Sequence, residues 1–355
     1  MTFVRNAWYV VAYSGEITTE AFVRTIADDP ILLFRGPGGR VSALLDVCPH
    51  RFAPLSAGTI AAGVVRCGYH GLEFDAAGAC TLNPHGKGAI PRTLAVRTFP
   101  VVERDGLVRM WPGDPDRADA QRVPDCGFLI DPQRRTLTGS TRIESSYRLM
   151  VDNLTDLGHA QYLHGSNFAS DAFGGLRRLL TVDGDRVTAS LTMPSGTAPA
   201  IWKRMLGFRD QRVNMWLDTY WHAPSSLVTV IGIAPEGTPK ENNFNSKSAH
   251  LLTPESASSH HYFFCNSRNF RLDDDEVDRE FSAWQQRALV AEDAPMVEAI
   301  ERRTSVVRRY GLTSTMLGCD EASVRVARII DEMLAREARA AVPSQPNLVP
   351  ASPDR

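Results

Sequence analysis

DVCPHRFAPLSAGTIAAGVVRCGYHGLEFD, residues 46–75, is the stretch on which the reading of the chain turns. It sets Cys48 and His50 in one short loop and Cys67 and His70 in another, with sixteen residues between the pairs. Zinc sites with two cysteines and two histidines keep the cysteines together and the histidines together further on. Here each loop offers one of each. That suits a two-iron, two-sulfide cluster in which two thiolates hold one iron and two neutral imidazoles the other. Pro49 stiffens the first loop, and Gly68 and Gly71 let the second turn tightly. Cys80, Cys126, Cys265 and Cys319 have no Cys or His partner at ligand spacing and are expected as small buried apolar side chains.

The bulk composition is that of an ordinary globular protein: 355 residues, 43% hydrophobic and 23% charged. A net charge of −2 leaves no electrostatic footprint for nucleic acid. No apolar run approaches the roughly 18 residues a membrane span needs. Six cysteines without a signal-peptide pattern point to a reducing compartment, so the chain is expected in the cytoplasm.

Short β-patterned runs broken by turn signals fill residues 1–115, including ILLFRG (31–36), VSALLDV (41–47) and LEFDAAG (72–78). DAAG (75–78) and RDG (104–106) read as hairpin turns. A proline-punctuated linker is expected over 116–140 and a second domain over 141–341. Within it, 145–165 has helical spacing, 176–270 is strand-rich, and 271–311 and 320–341 read as helices. The Pro- and Ser-rich end, 342–355, is expected to be disordered.

A cluster alone makes an electron carrier, which needs only about a hundred residues. The rest of the chain carries DNLTDLGHAQYLHG (152–165), with Asp156, His159 and His164 written D-x2-H-x4-H. Two histidines and a carboxylate form the facial triad of a non-heme iron(II) oxygenase. Five residues along an ideal helix is about 140° off axis, so both histidines meet one ion only if the helix widens or ends between them. Spacing leaves the third ligand open between Asp156 and distant carboxylates.

With both motifs in hand, the chain resembles the Rieske non-heme iron oxygenases, and within them the O-demethylase group that acts on aromatic acids such as vanillate and dicamba. NAWYV (6–10), CPHRFAPLS (48–56), YHGLEFD (69–75), VDNLTDLGHAQYLH (151–164) and AEDAPMVEAIERR (291–303) carry the likeness. The resemblance implies an α+β architecture: an N-terminal all-β Rieske domain, then a catalytic domain of helix-grip (START-like) type. That domain has a curved antiparallel sheet and a long C-terminal helix. The resemblance makes His159, His164 and Asp293 the mononuclear iron ligands, with Glu292 as the adjacent competitor. Asp156 becomes the carboxylate that bridges subunits of a head-to-tail homotrimer, between His70 of one and His159 of the next. Asn153 stands in the same bridge region.

No nucleotide-binding glycine pattern follows a strand, so electrons from NAD(P)H are expected through a separate reductase, with or without a ferredoxin. The expected reaction is dioxygen-dependent O-demethylation of a methoxylated aromatic acid to the phenol and formaldehyde. Ring hydroxylation and attack on an N-methyl or aryl methyl group are the alternatives, and a pure electron carrier is the remote one. The resemblance also puts His250 and Trp284 in the substrate pocket, as donor to a carboxylate and as aromatic wall. The group's third contact is an Asn after a Trp. Here His222 follows Trp221 and is carried as the candidate in that place. His85, His260 and His261 are expected to be structural or surface residues.

Overall fold

The computed structural model describes residues 3–156, 158–165, 176–240 and 243–341; the expected disordered tail lies outside them. Ten short strands build the N-terminal domain: β1 Tyr9–Tyr13, β2 Phe22–Ile26, β3 Asp29–Arg35, β4 Val41–Leu45, β5 Thr59–Ala61, β6 Val64–Arg66, β7 Glu73–Phe74, β8 Cys80–Leu82, β9 Val101–Arg104 and β10 Leu107–Met110. They form three antiparallel sheets in the orders β1-β10-β9, β2-β3-β4 and β5-β6-β7-β8. The β9–β10 turn has positive φ at Asp105 and Gly106, the type I′ geometry that matches strand twist.

The second domain is one seven-stranded antiparallel sheet in the order β11-β17-β16-β15-β14-β13-β12. Its strands are β11 Arg135–Ile143, β12 Arg177–Asp183, β13 Arg186–Thr197, β14 Arg212–His222, β15 Ser226–Pro235, β16 Phe244–Ser256 and β17 Ser259–Arg268. β11 begins inside the stretch expected as linker, because its alternating residues pair along all of β17.

Strand alternation gives the sheet two buried faces. One carries Val187, Trp221, Leu227, Leu252, Tyr262 and Phe264 into a core closed by three helical elements. These are α1 (Tyr147–Thr155), the helical stretch that carries Leu289, Ala294 and Val297, and α7 (Glu321–Ala341). The other face puts Ala249, Leu251, Phe263 and Cys265 against Val10 and Leu107 of the N-terminal domain. The two domains thus share a packed apolar seam.

Two expected helices are interrupted. The 145–165 run ends at Thr155, because Asp156 adopts an extended conformation; only the short α2, Ala160–Leu163, follows. After α3 (Ala200–Leu206), the 271–311 run divides into α4 (Asp275–Gln285), a π-helical segment (Gln286–Asp293), α5 (Ala294–Glu301) and α6 (Thr304–Tyr310). Pro295 gives a reason for the wide turn. It has no N–H, and its ring would strike the carbonyl of Ala291 in a regular α-helix.

Candidate metal centres

The two loops of the quoted stretch close in the same way. Cys48 N donates to Ala53 O and Cys67 N to Leu72 O, both at 2.8 Å. Each cysteine carbonyl then accepts from the residue four places on, Phe52 N and Gly71 N, both at 2.9 Å. Those two residues are the left-handed ones, with φ of 62° and 71°. The fold of each loop turns its cysteine inward and its histidine outward. Cys48 and Cys67 are buried in a cluster with Leu55, Val65, Leu72 and Phe74. His50 is exposed, His70 half-buried, and their rings stand 4.4 Å apart. The loops approach so closely that a Cβ at Gly58 would lie 1.9 Å from Arg66 O. Burial pushes the Cys48 thiol up, with Cys67 beside it adding to the shift. Two inward sulfurs and two outward imidazoles on neighbouring loops fit a cluster ligated half by thiolate and half by histidine.

The second centre forms where α2 meets the π segment. His159 is the N-cap and His164 the C-cap of α2, so one short turn presents both rings on the same side. Asp293 ends the π segment and is buried. Its Oδ1 lies 3.6 Å from His159 Nε2 and 3.4 Å from His164 Nε2. The three donor atoms lie within 4.8 Å of one another. Ligands about 2.1 Å from a shared ion stand about 3–3.4 Å apart, so the set needs little movement to hold one.

The neighbouring groups fix these rings. His164 Nδ1 bonds Glu292 Oε2 at 2.7 Å, and Arg287 Nε donates to the other Glu292 oxygen at 2.8 Å. Burial would raise Glu292, but Arg287 and His164 outweigh it and hold the carboxyl below its ordinary range. Burial alone would lower His164; Asp293 and Glu292 reverse the shift, so the local field favours a cation. His159 Nδ1 bonds the carbonyl of Asp156, and Asn153 Nδ2 donates to Asp293 Oδ1 at 3.2 Å. Outer partners of this kind set ligand orientation in metal sites.

The geometry separates the two competitors for the third position, since Glu292 is taken up by His164 Nδ1 and Arg287. The Asp156 carboxylate does not touch the His159 ring. It accepts from Gly158 N at 2.8 Å and stands beside Cys319 and Asp320. It opens instead into a groove of about 910 Å³ lined by Asp152, His159, Tyr162, Met296, Ile300 and Met316, among others. Cys319 is half-buried there and Cys80 half-buried in the first domain, while Cys126 and Cys265 are fully buried.

Of the expected pocket residues, His250 is buried on the face that carries Tyr262 and Phe264, where the Asp293 charge reaches it. Trp284 is half-buried on α4 and packs against the second core cluster, with Phe281 and Ile231. His222 is elsewhere. It follows Trp221, and adjacent strand residues point to opposite faces. Trp221 takes the core face, so His222 lies on the far side with Arg186, beside the 121–128 segment. The expected substrate contact at His222 is therefore withdrawn. Tyr262, bonded to His250, had no signal in the sequence beyond strand alternation. His260 is buried and His261 half-buried, and His85 Nε2 lies 2.8 Å from the His70 carbonyl.

Residues 7–100 match the Rieske [2Fe-2S] domain family, and residues 143–336 match the vanillate O-demethylase oxygenase C-terminal domain. The chain is 50% identical over 338 residues to the oxygenase component of dicamba O-demethylase from Stenotrophomonas maltophilia, covering 95% of this chain and 100% of that one. It is 34% identical over 348 residues to a vanillate O-demethylase oxygenase subunit from a Pseudomonas species, covering 96% and 97%. The crystal structure of dicamba monooxygenase bound to 3,6-dichlorosalicylic acid superposes with a TM-score of 0.92 at 49% identity, covering 95% of this chain and 99% of that one. No helix among the described residues is long and apolar enough to cross a membrane. Two ligand loops on a small β domain, a histidine–carboxylate centre beneath a seven-stranded sheet and these likenesses lead to one assignment: the chain belongs to the Rieske non-heme iron oxygenases, as an oxygenase component of the vanillate O-demethylase type.

Proposed function

We propose that this chain is the terminal oxygenase of a multicomponent system that O-demethylates a methoxylated aromatic acid. It uses dioxygen and electrons passed from NAD(P)H by a separate reductase in the cytoplasm. One observation carries the reading: a single chain holds both a thiolate–imidazole loop pair and a two-histidine, one-carboxylate set whose donor atoms lie within 4.8 Å. An electron carrier has no use for the second set. Cys48 and Cys67 hold one iron of the cluster and His50 and His70 the other; His159, His164 and Asp293 hold the mononuclear iron. When bound, that iron supplies the activation of dioxygen for attack on a C–H bond.

This chain's own residues do the rest. Glu292 and the Asp156 carbonyl keep the two imidazoles turned toward Asp293. Asn153 restrains Asp293 through its Nδ2. His250 donates to the substrate carboxylate, and Trp284 walls the ring. Hydroxylating the methoxy carbon gives a hemiacetal, which collapses to the phenol and formaldehyde. The O-demethylase relatives and the salicylic acid bound in the dicamba enzyme support this substrate class.

The active form in this reading is a head-to-tail homotrimer. The groove at Asp156 is acidic, with Asp152 and Asp320, and has exposed Tyr162, Met296, Ile300 and Met316. The cluster tip is basic and aromatic, with Arg51 acting on His70 and Phe52 and Tyr69 exposed beside them. Docking tip into groove sets Asp156 between His159 and the partner subunit's His70. Turnover of methoxybenzoates with a surrogate reductase, followed by formaldehyde assay, tests the chemistry. Substrate consumption without formaldehyde would overturn it.

A further inference from the structure

Tyr262 and His250 are diagonal neighbours on one face of the sheet, since His250 pairs with Phe264 and Leu252 with Tyr262. The phenol oxygen lies 2.6 Å from His250 Nδ1, and both side chains are buried. Among the described residues this is the one side-chain hydrogen bond that either Tyr262 or His250 makes. His250 is neutral, because burial pushes it down to about 4 against the opposing pull of Asp293.

A neutral imidazole has one N–H, and two arrangements make the 2.6 Å contact. If Nδ1 carried the proton, the phenol would accept and its own proton would be buried without an acceptor. Unmade bonds of that kind are costly. If the phenol donates, its proton and Nδ1 are both paired, and the one donor left without a partner among the described residues is the imidazole N–H on Nε2. The first arrangement leaves both the phenol proton and the Nε2 lone pair unmade. Burial keeps the phenol protonated by raising Tyr262 well above its ordinary range, so it remains a donor. The second arrangement wins, and Nε2 becomes a fixed donor.

We propose that Tyr262 is a positioning residue that locks His250 in its Nε2–H form and so tunes the site for a carboxylate over a neutral amide. The inference rests on the aromatic-acid reading given above. A carboxylate offers only acceptors and needs the donor tautomer. An amide offers a donor and an acceptor, so a freed imidazole can meet it in either form.

The test is anaerobic calorimetric binding of 2-methoxybenzoate and 2-methoxybenzamide to the metal-loaded enzyme. Wild type, Tyr262→Phe, His250→Gln and the double variant are compared. Metal content and thermal midpoint establish that each variant is folded. In Tyr262→Phe, the acid is expected to weaken about tenfold and the amide by less than about threefold. The acid-to-amide ratio should then be the same in His250→Gln with or without the tyrosine. Equal weakening of both ligands in Tyr262→Phe, or a ratio that still depends on Tyr262 without the histidine, overturns the lock. A wild-type enzyme with no preference for the acid overturns the substrate class, and the lock with it.

Discussion

His164 is bonded at 2.7 Å to Glu292, the residue immediately before the carboxylate that its other nitrogen faces. Consecutive acidic residues thus do different work: one turns the imidazole and the other stands where an ion would bind. Glu292→Ala is expected to weaken mononuclear iron affinity by about 10–100-fold. The cluster's visible absorbance should be unchanged. Iron per chain after dialysis, with the absorbance spectrum alongside, checks both halves.

Asp156 touches neither imidazole with its carboxylate and faces the open groove. Asp156→Asn is expected to keep both metal contents yet lose formaldehyde formation coupled to dioxygen uptake. Parallel oxygen-electrode and formaldehyde measurements decide it. Unchanged coupling removes Asp156 from the bridge.

The twin loops differ at their left-handed position, glycine in one and phenylalanine in the other. Gly71→Ala should cost about 1–2 kcal/mol, the penalty for a side chain there. Phe52 is 77% exposed and loses little packing, so Phe52→Gly should gain up to about 1 kcal/mol. Thermal unfolding of the holoenzyme measures both.

Burial pushes His260 and His261 each to about 4 from the ordinary 6.5. Between those values the unfolded chain takes up protons that the folded chain refuses. The stability from keeping them neutral is therefore full above 6.5 and lost as pH falls toward 4. Each contributes a slope of about 1.4 kcal/mol per pH unit in that window. His260→Gln should be less stable at pH near 7.5 but shallower in its decline. Thermal midpoints across pH, compared as variant against parent, test the slope.

Legibility in the sequence followed how local each constraint was. The candidate cluster ligands Cys48, His50, Cys67 and His70 lie within one short stretch, and their spacing alone singled them out. His159 and His164 were equally local, but a widening or an end of the helix was expected between them. The structure instead breaks the chain at Asp156 and puts the π turn in the facing helix. Asp293 is more than a hundred residues away, and no periodicity distinguishes it from Glu292; only the resemblance named it. His222 failed on parity. A strand shows one of two neighbours to each face, and larger, apolar Trp221 took the core side. Tyr262 was invisible because its importance lies in a partner on the next strand.

The π segment also solves a problem of phase. Phe281 on α4 and Val297 on α5 both point into core clusters beneath the same sheet. Along an unbroken α-helix, sixteen residues would leave them about 160° apart, on opposite sides of the rod. Eight residues wound at about 4.4 per turn take back most of that rotation. One helical rod can then keep a single edge toward the sheet along its whole length, with Asp293 at the point where the winding changes. Removing one residue between 286 and 293 would mis-index the two halves like a gear slipped by a tooth.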